Sequence, residues 1–463
     1  MPSLSSPDRP DLVIASNRGP VSFELAPDGS LRTRRGGGGL ASTLGVVAAG
    51  TGAHWVGAAM TEADRRAAES GSRQVEGFAF RALDIEAGVY AQAYDVVSNL
   101  TLWFLHHHLF DLPRRPRFDH RWREAWDGFR AYNAAFAKAV AEEAPDRAVV
   151  LVQDYHLSLV PEMLAGLRHD LRVVHFHHTA FAEVSWLRVL PDPVARELLQ
   201  GLAGAHACGF HSPRWEASFR AGAQAFGVEP PTTFVSPLAP APGDLEGTAA
   251  SDACAAAGAE LDRATAGRRL IVRVDRIEPS KNIVRGFLAY ETLLARRKDL
   301  RGQVVFAAFV YPSRESLAEY LAYHDEVRTV AERINARWAS ADWTPILLHD
   351  TDNFARSVAA LTRYDVLLVN PVRDGMNLVA KEGALVNRNH GLVVLSREAG
   401  AWDELDGAAI GINPFDIEET ADALAQGLDL GDEERRARSA ELRRRASARD
   451  ATHWLADQIA AAG

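Results

Sequence analysis

The stretch AVVLVQDYHLSLVPEMLAGLRHDLRVVHFHH (148–178) holds the pattern that decides the fold. AVVLVQD (148–154) and RVVHFHH (172–178) are apolar runs that end in polar residues, as strands buried on both faces do. Between them, LSLVPEMLAGLRHD (157–170) returns a leucine or valine every three to four residues, the spacing of a helix. A strand, a helix and a second strand predict parallel pairing through a right-handed crossover. Ligands in such sheets bind beyond the carboxyl ends of the strands, where Asp154 and His178 would lie.

The same alternation extends outward in both directions. LVIAS (12–16) is a short buried strand followed by the loop NRGP. RLIVRVD (269–275), QVVFAAFV (303–310), PILLHD (345–350), DVLLVNP (365–371) and GLVVLS (391–396) form a second series, with a helix over NIVRGFLAYETLLARR (282–297). Proline and glycine crowd VEPPTTFVSPLAPAPGDLEG (228–247), which reads as the boundary between two domains. The expected class is α/β, with two doubly wound domains facing each other across a cleft. Their expected ranges are 1–235 and 236–445. The charged and then amphipathic tail, Glu433 to Gly463, reads as a terminal helix whose last part, 446–463, packs back on the N-terminal domain.

Composition narrows the function classes. The chain has 463 residues, 47% hydrophobic and 24% charged, enough for about two or three domains of roughly 150 residues. No apolar run is long enough to cross a membrane, and MPSLSSPDRP (1–10) lacks a signal peptide's pattern and reads as a loose tail. Cys208 and Cys254 make neither a disulfide framework nor a zinc CxxC, so a cytoplasmic setting is expected. A net charge of −10 argues against a nucleic-acid partner. Among 51 basic residues only Lys138, Lys281, Lys298 and Lys381 are lysines, so each lysine invites a reason for a compact point charge.

Several patterns carry chemistry. Gly36–Gly39 lead into a helix start, where backbone can approach an anion closely. Arg276 and Lys281 follow the strand RLIVRVD and suit a diphosphate whose leaving charge needs partners. In RDGMNLVAKEGALV (373–386), Asp374 can accept sugar hydroxyls and Glu382 ribose hydroxyls beside a helix start, although an acidic residue before a helix is often only a cap. HHH (106–108) and HFHH (175–178) raise a metal site, but His175 and His177 share a strand face while His178 points away, so no metal is implied. Neither GxxxxGK[ST], a well-placed GxGxxG nor GxSxG is present.

Taken in order, SNR (16–18), GGL (38–40), YDVVSNLTLW (94–103), QDYHL (153–157), RIEPSK (276–281), PSR (312–314) and RDGMNLVAKE (373–382) resemble the trehalose-6-phosphate synthases, from about Leu12 to Asp416. That family consists of retaining glycosyltransferases with two Rossmann-like domains, the GT-B fold. The resemblance implies transfer of glucose from UDP- or GDP-glucose to glucose 6-phosphate, with no cofactor and no metal. By the same resemblance Arg18, Tyr94 and Arg314 hold the acceptor phosphate, Trp103 lines that site and Asp154 touches the reacting sugars. Gly39 approaches the donor, His178 bonds the transferred glucose, and Arg276 and Lys281 grip the diphosphate. Asp374 binds glucose hydroxyls, the backbone from Asn377 through Leu378 to Val379 the diphosphate, and Glu382 the ribose. The implied catalytic set is Asp154, His178, Arg276, Lys281 and Asp374.

The sequence also departs from the family pattern. HTAFA (178–182) stands for the usual HIPFP, Asn282 for a glycine, Pro279 for a common tyrosine, and Ala58 for the second tryptophan of W-x-G-W. The donor base is therefore left open between uracil and guanine, as is homo-oligomerisation. Two rival readings stand beside the synthase: a pseudo-glycosyltransferase acting on cyclitols, and a regulatory homologue without catalysis.

Overall fold

In a computed structural model, residues 10–35, 39–49 and 51–463 are described. The expected loose tail over residues 1–9 and the glycines 36–38 of the expected donor-side loop lie outside them. Gly39 opens the helix Gly39–Ala48. The chain divides into two compact units: Met1–Leu238 with Ala451–Gly463, and Ala239–Asp450. Both are α/β, with helices between parallel strands. Among the described residues, no helix is long and apolar enough to cross a membrane.

The first unit contains β1 (Leu12–Ala15), β2 (Val21–Leu25), β3 (Leu31–Arg35), β4 (His54–Ala58), β5 (Arg73–Val75), β6 (Phe78–Leu83), β7 (Val149–Gln153), β8 (Arg172–His177), β9 (Ala207–Phe210) and β10 (Thr232–Val235). Eight of these form one sheet in the order β10-β9-β8-β7-β1-β4-β6-β5. It is parallel except where β5 pairs antiparallel with β6, while β2 and β3 make a separate hairpin. The order reverses at β1, so β1 and β7 flank the switch point, the crevice where such sheets bind ligands. The strands are apolar because both faces are covered: Val150, Val152 and Val173 pack with Phe129, Leu198 and Trp215 in one core.

The second unit holds β11 (Arg269–Ile277), β12 (Val304–Pro312), β13 (Ile346–His349), β14 (Val366–Val369), β15 (Leu392–Ser396) and β16 (Ile410–Ile412). Its sheet runs β13-β12-β11-β14-β15-β16, all parallel, which is the order 3-2-1-4-5-6 of a doubly wound dinucleotide-type fold. The switch point lies between β11 and β14. The helix Ile283–Arg296 covers one face through Phe287, Tyr290 and Leu294, which recur at helical spacing.

Two details differ from the sequence reading. The tail is two helices, Asp432–Ala446 and Ala451–Ala460, rather than one. The first is mostly charged and buries only Ser439, Leu442 and Ala446, in the second unit, whereas the second buries Ala451, Trp454, Leu455 and Gln458, in the first. The motif YDVVSNLTLW lies on an eleven-residue π-helix, Gln92–Leu102, closed by a bond from the Trp103 N–H to Ser98 O. Such wide turns are rare and usually short, and they often mark functional positions.

Trp454 anchors the terminal helix. Its ring stands edge-on to Phe176, at 5.2 Å, and is fully buried. Trp454→Ala is expected to cost about 3–5 kcal/mol, read from guanidinium unfolding followed by tryptophan fluorescence.

Candidate functional site

In the first unit, the turn after β1 is fixed from below. The Ser16 hydroxyl accepts the Trp55 indole N–H at 2.8 Å and donates to the Arg18 carbonyl at 2.6 Å. Asn17 Oδ1 accepts the buried Tyr132 hydroxyl. A Cβ on Gly57 would lie 2.9 Å from the Gly19 nitrogen, so these two glycines let β4 pass close to the turn. Arg18 is thereby held by its backbone while its side chain stays exposed.

Across the switch point, Asp154 follows β7 with φ of 72°. Its Oδ1 accepts the N–H of Tyr155 at 2.9 Å and of His178 at 3.3 Å, and its Oδ2 faces His156 Nδ1 at 3.7 Å. The carboxylate thus offsets the unfavourable left-handed backbone by satisfying its own loop. Tyr94 stacks between Tyr90 and His156, at 5.3 and 5.7 Å between ring centroids. Trp103 is buried, stacked on His107 at 3.8 Å and tilted against Tyr155.

The remaining histidines divide by strand face, as their alternation requires. His177 pairs with Thr179 Oγ1, and His106 Nδ1 accepts the Ala182 N–H. The segment HTAFA is thereby tied to the core by histidine on one side and by buried Phe181 on the other. His178 turns the opposite way: Nε2 lies 2.9 Å from Gln153 Oε1 and Nδ1 3.2 Å from His211 Nε2. Burial, with His211 and His175 nearby, pushes the His178 pKa well below the usual imidazole range. Both ring nitrogens are therefore engaged within the unit.

In the second unit, Lys281 and Asp374 approach from opposite sides of the switch point, after β11 and β14, with Nζ to Oδ2 at 2.6 Å. The Asn377 amide also donates to Asp374 Oδ2, at 3.2 Å. Burial by itself lowers the Lys281 pKa, but Asp374 and Asp275 outweigh it and the ammonium is held above its ordinary value. Beneath this pair, Arg273 is fully buried on β11. Its Nε donates to Asp275 Oδ2 at 3.0 Å, and its NH2 to the Lys281 carbonyl at 2.6 Å.

Arg276 and Arg314 share one carboxylate. Glu278, fully buried, has Oε1 3.2 Å from Arg276 Nε, 3.8 Å from Arg314 NH1 and 3.0 Å from the Ser313 hydroxyl. Burial alone would raise the Glu278 pKa, yet Arg276, Arg314 and Lys281 hold it down at about 2. Glu278, Arg273 and Asp275 were not singled out from the sequence. The signal for Glu278 was present, an acidic residue between the two cations of RIEPSK; a buried arginine inside a strand has no comparable mark.

The loop that follows β14 leads into the helix Leu378–Val386. Asn377 caps it at φ of 75°, accepting the Ala380 N–H, and the N–H groups of Leu378 and Val379 fall in its first turn, where no intrahelical acceptor exists. A Cβ on Gly400 would lie 1.9 Å from the Gly375 carbonyl, so RDG is pressed against the loop after β15. Glu382 is half-buried, and burial raises its carboxyl to about 7. Lys381 points elsewhere, into a buried ion pair with Glu404. Asn282 has φ of 60°, a left-handed conformation that asparagine tolerates better than most residues, and its amide bridges the carbonyls of Asn370 and Pro414 at 2.9 and 2.7 Å. That accounts for asparagine at a position where glycine is usual.

The structure thus joins Asp154 with His178, and Lys281 with Asp374 and Asn377, while Arg276 and Arg314 meet through Glu278. Arg18, Tyr94, Trp103 and Asp154 lie in the first unit, and Arg314 in the second.

Comparison with known proteins follows the same lines. The family model for glycosyltransferase family 20 matches residues 10–462. A trehalose-6-phosphate synthase of Mycolicibacterium smegmatis is 31% identical, across 98% of this chain and 93% of its own. The alpha,alpha-trehalose-phosphate synthase [UDP-forming] of Schizosaccharomyces pombe is 31% identical, across 96% and 88%. Among solved structures, the UDP-forming enzyme of Burkholderia xenovorans in complex with glucose-6-phosphate matches with a TM-score of 0.83 and 28% identity, over 96% of this chain and 98% of that one. The Escherichia coli protein bound with UDP-2-fluoro glucose gives 0.84 and 26%, over 97% and 99%.

Removing the guanidinium beneath the second site should leave Asp275 buried without its partner. Arg273→Leu is expected to lose about 3–5 kcal/mol of stability in urea unfolding. The loss should shrink as pH falls, because Asp275, whose pKa burial already raises, then takes up a proton.

Proposed function

We propose a specific reaction from the premise that this chain belongs to glycosyltransferase family 20 and is a glycosyltransferase. The reaction is retaining transfer of glucose from a nucleoside-diphosphate glucose to glucose 6-phosphate, giving α,α-trehalose 6-phosphate and the nucleoside diphosphate. One observation carries it furthest: Lys281 and Asp374 meet at the switch point of a doubly wound sheet, beside the first turn of the helix Leu378–Val386.

The chemistry follows from what these groups can hold. A leaving diphosphate develops negative charge, and Arg276, Lys281 and the N–H groups of Leu378 and Val379 are the donors to receive it. When the phosphate takes the Lys281 ammonium, Asp374 loses its ion-pair partner and turns to the glucose hydroxyls. Within the first unit, Asp154 and His178 are the proposed sugar contacts and Arg18, Tyr94 and Trp103 the proposed acceptor contacts; within the second, Arg314 is a proposed phosphate contact. Gly39 approaches the donor at its helix start. With donor and product both α-linked, a same-face substitution asks for positioning and charge neutralisation more than for a protein nucleophile.

Uracil is the first choice of base: the Schizosaccharomyces pombe relative is named UDP-forming, and the Escherichia coli structure holds a UDP-sugar. A panel of UDP-glucose and GDP-glucose with glucose 6-phosphate, scored by release of each nucleoside diphosphate, should favour UDP. No release from either donor would sink the reaction. Lys281→Ala should lower kcat by about 10²–10³, the scale of losing one charge-stabilising donor, with the circular-dichroism spectrum unchanged.

Glu382 supplies a pH test. With its carboxyl at about 7, it is protonated below that pH and accepts ribose hydroxyl bonds fully only above it. The donor KM should therefore fall as pH rises through about 7, and Glu382→Gln should give a KM that does not change across the same range.

A further inference from the structure

Behind His178 lies a run of buried polar groups whose hydrogen bonds can be given a direction. At one end the Leu238 backbone N–H, which can only donate, meets His211 Nδ1 at 3.3 Å. His211 Nε2 faces His178 Nδ1 at 3.2 Å, and His178 Nε2 faces Gln153 Oε1 at 2.9 Å. The Gln153 amide nitrogen donates to Gln458 Oε1 at 2.9 Å, and the Gln458 nitrogen to the Trp454 carbonyl at 3.5 Å, which can only accept. A donor-only head and an acceptor-only tail leave one consistent proton arrangement. His211 must accept at Nδ1 and so donates from Nε2. His178 must accept at Nδ1 and so carries its proton on Nε2. Gln153 must present oxygen to His178 and nitrogen to Gln458.

All these residues belong to the first unit, and Gln153 and Gln458 are fully buried. Burying an amide on the terminal helix costs free energy that an apolar residue would not incur, unless its hydrogen bonds are made. Here both are made, and they lead to the ring whose own backbone N–H bonds Asp154. A shift of the His178 ring would therefore move the main chain that holds the Asp154 carboxylate. A protonated His178 is also disfavoured, because a second ring N–H would confront the N–H of His211.

We propose that Gln458 is a positioning residue for the Asp154–His178 pair, acting through Gln153 to hold His178 as the neutral Nε2–H tautomer. The role in turnover rests on the reading of Asp154 and His178 as residues that act on the sugar; the tautomer does not.

Long-range ¹H–¹⁵N correlation on the full-length protein, histidine-labelled and without substrate, reads the tautomer directly. The expected result is a single neutral His178 with its proton on Nε2; a proton on Nδ1 overturns the proposal. Gln458→Leu, similar in volume but without an acceptor, should release the Gln153 amide to flip. His178 should then populate both tautomers, and kcat for nucleoside-diphosphate release should drop about tenfold while both KM values stay within about twofold. Gln458→Asn, which keeps the amide one carbon shorter, should fall between and guards against a leucine variant that does not fold. A Gln458→Leu protein with one tautomer and unchanged kcat overturns the role. A wild type that releases no nucleoside diphosphate overturns the reaction alone, since the tautomer is read without substrate.

Discussion

A guanidinium with no exposure to water, Arg273, is the constraint from which the second unit's site is built. Such a charge persists in a core only when a fixed counter-charge and hydrogen-bond acceptors offset its desolvation, here at Nε and NH2 and not at NH1. Asp275, two residues along the same strand, supplies one partner, and the carbonyl of Lys281 supplies another. The second bond reaches past the end of β11 and pins the turn over Pro279–Lys281 against the sheet. Asn282 then takes the left-handed conformation that reverses the chain into the next helix, and its amide ties that reversal to the ends of β14 and β16. Lys281 consequently emerges at the switch point with its direction already set, opposite Asp374. Electrostatics below the surface thus decides where a cation stands on it.

The first unit solves the same problem with neutral groups. Its switch point lies between β1 and β7, and hydrogen bonds from side chains that do not themselves reach the surface fix the turn after β1 and the end of β8: Trp55, Ser16 and Tyr132 under Arg18, and Gln153 with His211 behind His178. Aromatic stacking adds the third support, since Tyr94 is held between Tyr90 and His156 on the wide turns of a π-helix. A π-helix sets successive residues at a different angle from an α-helix, so Tyr94, Asn99 and Trp103 share a side that α-helical spacing would separate. Asn99 accepts the Tyr155 hydroxyl, and Trp103 packs on the same ring.

Much of this was legible in the sequence, for a physical reason. Strands buried on both faces are largely apolar, so β7, β8, β11, β12, β14 and β15 announced themselves as runs even where β8 buries His175 and His177 and β11 buries Arg273 and Asp275, and the helices between them as threefold-to-fourfold repeats. Residues at the polar ends of those runs, such as Asp154, His178, Lys281 and Asp374, were legible for the same reason: a polar residue where the run stops sits at the mouth of the sheet. The supporting residues were not. Arg273 breaks no pattern that a strand in water would respect, Gln458 lies far along the chain from Gln153, and π-helical geometry has no period in a single sequence. The scarcity of lysine proved half informative: Lys281 stands at the switch point, whereas Lys381 serves a buried ion pair with Glu404.

The charges at the second unit's strand ends are arranged in pairs, and that has a consequence for the proposed reaction. Arg276 and Arg314 share Glu278, and Lys281 holds Asp374, so no cation there faces an incoming phosphate without a carboxylate already beside it. Under the proposed reaction, a diphosphate at Arg276 and Lys281 would exchange one anion for another, and its affinity would be set by the difference between ion pairs, not by the full attraction of two positive charges. The two carboxylates differ in what the exchange does to them. Glu278 has no exposure and keeps the Ser313 hydroxyl and its second arginine, so it stays in place as a fixed counter-charge. Asp374 is half-buried and holds both the Lys281 ammonium and the Asn377 amide, so it is the more accessible of the two carboxylates. In that reaction a donor that brings diphosphate and sugar hydroxyls together would meet Lys281 and Asp374 at once, whereas inorganic phosphate would meet only the cation. Under the proposed reaction, a preference for a sugar nucleotide over a simple anion would follow from that pairing, without any contact to the base.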